Sequence, residues 1–112
     1  MEEQEKPDRR KSRIDSVKIF RNEYEALMLF PDADLGRALE FILKWFDIYS
    51  VRGSDMMQIP QEIDYQDFDR KQARIIKSIV YNIRDECAKY WETADLRSKG
   101  KREADAKRGK YN

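Results

Sequence analysis

A chain of 112 residues, 40% hydrophobic and 40% charged with a mean hydropathy of -0.93, has room for one domain with a small core and not for two. Its 23 basic and 22 acidic side chains leave a net charge of +1, so no overall field directs it to nucleic acid or a membrane. The absence of histidine removes the commonest general base and the commonest zinc ligand, and a single cysteine, Cys87, excludes an intrachain disulfide or a multi-thiolate metal centre.

Four glycines and three prolines are too few for a turn-rich all-β fold, and helical periodicity recurs along the chain. The predicted first helix covers residues 16–30, where Val17, Phe20, Tyr24, Leu27 and Met28 recur at steps of three and four. Asp15 or Ser16 is suited to cap its start, and Pro31 ends it. A second helix starts at Asp32 or Asp34 and carries Leu35, Leu39, Ile42, Phe46 and Tyr49, with Ala38, Phe41 and Trp45 widening the stripe. Glu40 and Lys44 are spaced for an outward ion pair.

Residues 50–66 read as a long connection with one short helical turn around residues 55–58 and with Met56, Met57 and Ile59 packed over the helices. The third helix starts near Asp67. Phe68, Ile75, Ile76, Ile79, Val80, Ile83, Cys87 and Tyr90 keep helical spacing to about Trp91. Beyond it the sequence is polar and Gly100 and Gly109 interrupt it, so a frayed helical extension or a disordered tail is expected. The expected fold is therefore all-α, a small three-helix bundle. Residues 1–14 form a charged, flexible N-terminus, 15–91 the helical domain and 92–112 a partly helical or disordered basic extension.

The net charge hides an uneven distribution. Residues 15–88 carry -4 and residues 89–112 carry +4. Arg97, Lys99, Lys101, Arg102, Lys107, Arg108 and Lys110 face only Glu103 and Asp105 within the same fourteen residues. Such a segment suits non-specific contact with DNA or RNA phosphates, and Lys89, Tyr90 and Trp91 just upstream add the chance of stacking on unpaired bases. The competing reading is a solvated tail, with Tyr90 and Trp91 closing the core. Tyr24, Trp45, Tyr49, Tyr81 and Trp91 are candidates for a partner-binding aromatic surface, although helical spacing also fits a core.

Catalytic motifs are missing. No phosphate-binding glycine loop and no nucleophile elbow occurs, and no histidine can activate Cys87, which falls on the apolar side of the third helix. Asp64, Asp67 and Asp69 form the densest acidic cluster, yet a helix start explains them better than a cation site. The expectation is a non-enzyme without metal or cofactor. The longest apolar cluster, residues 35–49, is broken by Arg37, Glu40, Lys44 and Asp47, and no signal-peptide pattern precedes it. A cytoplasmic protein without a membrane segment is expected.

The run Phe20, Tyr24-Glu25-Ala26-Leu27, Phe30-Pro31, Asp34 leads into Leu39, Ile42 and Trp45, followed by Ile79, Ile83, Lys89-Tyr90 and a basic tail. This order resembles a family of small phage and prophage helical proteins of unknown function, often associated with replication modules. The resemblance implies a host-cell cytoplasmic, non-catalytic accessory protein that binds a replication or host protein, and nucleic acid through its tail. A protein–protein inhibitor of a host defence system and a structural homodimer are the alternatives.

Overall fold

The computed structural model describes residues 13–110, the side chains of 98, 99 and 101–110 excepted. Among the described residues three α-helices follow one another: α1 (Arg21–Leu27), α2 (Asp32–Ser50) and α3 (Arg70–Lys110), with a 3-10 turn over Glu62–Tyr65 between the last two. The expected all-α three-helix architecture is present. No strand occurs among the described residues; the one β-bridge pairs Arg13 with Val51.

The core is mainly the seam between α2 and α3. Ala38, Ile42, Trp45 and Tyr49 project from α2 at steps of four, three and four. They meet Ile76, Ile79, Val80, Ile83, Cys87 and Trp91 of α3, each buried. The centre of the α2 stripe thus lies one position from the expected one: Leu39 is 40% exposed, while Leu35 and Phe46 flank the core. Pro31 begins α2, and Asp32 and Asp34 occupy its first turn, where the helix dipole favours them. The ion pair on α2 is Asp34 with Arg37, not Glu40 with Lys44, and Asp34 also accepts from Gln72 of α3 at 2.9 Å.

The first helix is shorter than its apolar spacing predicts. Residues 14–20 are not helical, because the Ile14 N–H is taken by the Ser50 carbonyl at the end of α2 (2.9 Å) and Arg13 pairs with Asp47 (3.4 Å). Neither Asp15 nor Ser16 caps it; Phe20 is the N-cap, and Glu23 accepts its N–H at 3.3 Å. The inward face of α1 also differs. Glu23 and Leu27 are buried, whereas Phe20, Tyr24 and Met28 are exposed. The carboxylate can be inside because it accepts hydrogen bonds from Ser78 (3.2 Å) and Asn82 of α3 as well as from Phe20, so its acceptors do not go unfilled on burial.

The connection holds the expected turn at Asp55–Gln58, where Asp55 accepts from the Met57 N–H at 2.9 Å. Tyr49 pins it by donating its hydroxyl to the Gln58 carbonyl at 2.6 Å. Met56 and Ile59 are partly buried, but Met57 is 81% exposed and takes no part in the packing. The 3-10 turn was not expected; Asp64 accepts from the Gln61 N–H at 2.7 Å and starts it. Asp69 and Gln72 then exchange backbone-to-side-chain hydrogen bonds of 2.7 and 3.1 Å, which sets the start of α3 at Arg70 rather than Asp67.

The basic extension belongs to the last helix. α3 continues for 41 residues, roughly 60 Å, as one unbroken helix through Lys110. The basic extension that the sequence leaves as partly helical or disordered is helical through Lys110, and residue 92 lies within α3. Alanine, lysine, arginine and glutamate supply the helix propensity there, and Gly100 lowers it without ending the helix.

Candidate nucleic-acid interface

α3 leaves the core between Trp91 and Ala94, and the residues around that exit make a defined surface. Trp91 is 7% exposed and closes the core. The guanidinium of Arg52 lies 4.6 Å from its ring centroid and also pairs with Asp95 at 3.0 Å, so the connection after α2 is tied to the base of the projecting helix. Tyr90 packs edge-to-face on Trp91 at 4.9 Å and keeps 44% of its surface open.

Lys89, Thr93 and Arg97 follow one another at steps of four, on one side of the helix. With Glu86, Tyr90 and Ala94 they line a shallow open groove of about 330 Å³. Two cations and an accessible aromatic ring are the elements that track a phosphate backbone and stack a base. The groove lies at the base of the basic segment. The helical backbone continues past it, while the side chains of Lys99, Lys101, Arg102, Lys107, Arg108 and Lys110 lie outside the described residues.

The five aromatic candidates for partner binding do not form one surface. Trp45, Tyr49 and Trp91 are core residues, because each lies on the inward stripe of its helix. Tyr49 is wholly buried, and burial raises its phenol to about 12 despite the opposing charge of Arg84. Tyr81 is half-buried, with the Arg84 guanidinium 5.2 Å from its ring. Only Tyr24, 56% exposed on α1, is open to a partner. Of the stacking pair suggested by sequence, Tyr90 is accessible and Trp91 is not.

Cys87 is buried, and burial first, with the Glu86 charge second, pushes its thiol up to about 11. A thiol so protonated is a poor nucleophile at neutral pH. Asp64 and Asp69 are engaged in starting the 3-10 turn and α3, and no cluster of acidic or cysteine side chains among the described residues is arranged to hold a metal ion. No described helix is long and apolar enough to cross a membrane.

A second basic surface escaped the sequence reading. Arg70, Arg74 and Lys77 line a cleft of about 640 Å³ beside the 3-10 turn, with Glu62 and Tyr65 among the other lining residues. Lys77 lies 5.4 Å from the Tyr65 ring centroid, and the Tyr65 hydroxyl is buried without a hydrogen-bond partner among the described residues. The spacing of three cations over the first two turns of α3 was the available signal, masked by the neighbouring aspartates.

Comparison of the chain with protein-family models, with curated proteins and with solved structures finds no match. The phage-family resemblance therefore rests on its sequence motifs alone.

Proposed function

We propose that the protein is a non-catalytic accessory protein that holds nucleic acid, without sequence preference, on the basic end of α3. The observation that carries this reading is the position of Tyr90. Its ring stays open at the point where α3 leaves the core, beside Lys89 and Arg97 and at the base of the basic segment. A helical support favours binding, because less backbone order has to be created when the cations meet phosphates. The phage-type setting and a replication partner belong to the same proposal and draw on the motif order from Phe20 to Tyr90.

Fluorescence anisotropy with labelled single-stranded and duplex oligonucleotides at low salt tests it. Binding is expected to weaken steeply with salt, with each phosphate contact adding about one to the logarithmic slope. Lys89→Glu with Arg97→Glu lowers affinity for both ligands by roughly tenfold or more. Tyr90→Ala weakens single-stranded binding selectively, by roughly five- to a hundredfold, because a duplex offers no unpaired base to stack. Absence of binding to both oligonucleotides at low salt sinks the reading.

A further inference from the structure

We propose that the cleft between the 3-10 turn and the first turns of α3 binds a small ligand bearing two linked phosphoryl groups. The cleft holds about 640 Å³, a size suited to a small molecule, and Arg70, Arg74 and Lys77 line it. These three lie at steps of four and three, so they share one side of α3.

Among the described residues the two guanidiniums have no carboxylate partner. Arg13, Arg21, Arg37, Arg52 and Arg84 each pair with an acidic side chain, whereas Arg70 and Arg74 do not. Carboxylates that could neutralise them are close in sequence and are engaged elsewhere. Asp64 accepts from the Gln61 N–H and Asp69 from the Gln72 N–H. Asp64 and Asp67 line a separate depression with Arg37 and Lys44, and Asp69 lines another with Lys71. Among the described residues Glu62 alone brings negative charge to the lining of the cationic cleft.

The third cation is held in place. The Lys77 ammonium lies 5.4 Å from the Tyr65 ring centroid, and that buried ring packs on Phe41 at 5.1 Å. Positive charge this concentrated on a packed helix calls for a ligand whose negative charge is equally concentrated.

A diphosphate meets that demand. Its oxygens suit two-pronged bonds from guanidinium forks. Arg70 and Arg74 are one turn apart, roughly 6 Å at Cβ, so each can take one phosphoryl group. Lys77 adds a point charge beside them. An acidic peptide spreads its carboxylates along an extended chain and matches so short a cluster less well. The cleft is separate from the groove at Tyr90, since Lys89 follows Lys77 about 18 Å further along α3. The inference does not rest on nucleic-acid binding there.

Isothermal titration of the full chain at low salt, without divalent cations, tests it with pyrophosphate, orthophosphate and ADP as probes. Pyrophosphate is expected to bind at least roughly tenfold more tightly than orthophosphate. Arg70→Ala with Arg74→Ala abolishes that binding and leaves the circular dichroism unchanged, because both side chains are exposed. Glu62→Gln strengthens it by roughly three- to tenfold, since the opposing charge is gone. Lys89→Glu with Arg97→Glu leaves it within about twofold. ADP binding more tightly than pyrophosphate assigns the ligand to the nucleotides, and equal binding assigns it to diphosphates at large. Absence of binding by both pyrophosphate and ADP overturns the proposal. So does binding that survives Arg70→Ala with Arg74→Ala, or a hexaglutamate peptide that binds as tightly as pyrophosphate.

Discussion

The two halves of α3 share one backbone geometry and owe it to different causes. Up to Trp91 the helix is held by packing, with Ile76, Ile79, Val80, Ile83, Cys87 and Trp91 all inside. Beyond Ala94 the described residues, 95–97 and Gly100, are exposed, Leu96 by 63%, and intrinsic propensity carries the helix. The comparison teaches that helical continuity is not evidence of shared stability. One half is expected to unfold with the domain, and the other to open by itself.

Cutting into the packed half gives the largest expected effect. Ile79 is fully buried, and Ile79→Ala is expected to cost about 3 kcal/mol in denaturant unfolding, a large part of the stability of so small a core. Leu96→Ala is expected to cost less than about 0.5 kcal/mol. Comparable costs for the two substitutions would break the comparison.

Alkaline pH attacks the same half. Cys87 titrates at about 11 in the folded chain against 9.0 as its ordinary value, and Tyr49 at about 12 against 10.0. Between the ordinary and the folded values the native state holds protons that the unfolded state has released. Stability is therefore level below pH 9 as far as these groups are concerned, and falls as pH rises from 9 to 12. Thermal unfolding followed across that range checks the direction, and Cys87→Ala should remove the earlier part of the decline.

The smallest effect is reserved for the projecting half. Gly100→Ala is expected to stabilise the helix locally by about 1 kcal/mol or less. It raises amide protection on either side of residue 100 and leaves the unfolding midpoint of the body unchanged. A shift of the whole transition would show that the two halves are coupled.

Much of the architecture could be read from local pattern. α2 was legible because Pro31 marks its start and the steps of three and four run unbroken to Tyr49. The packed part of α3 was legible through the series Ile79, Ile83, Cys87, Trp91. α1 was not, since the contact of Ile14 with Ser50 joins residues 36 positions apart and leaves no local trace. Glu23 was unreadable for a related reason: a carboxylate is assigned to solvent unless its donors are known, and here they are Ser78 and Asn82 on another helix. Once that residue points inward, Phe20, Tyr24 and Met28 must point outward. Of the candidate interface, Lys89 and Tyr90 could be named from sequence, but which of Tyr90 and Trp91 stays open follows only from the register of α3 against α2.

The tie between Arg13 and Val51 fixes where anything joined upstream of Arg13 enters the molecule. Arg52, the next residue, lies over Trp91 and pairs with Asp95, so that entry is next to the exit of α3 from the core. Trp91 and Asp95 stand about half a turn round α3 from Lys89, Thr93 and Arg97, so the tie at Arg13 and the basic groove use different sides of the helix.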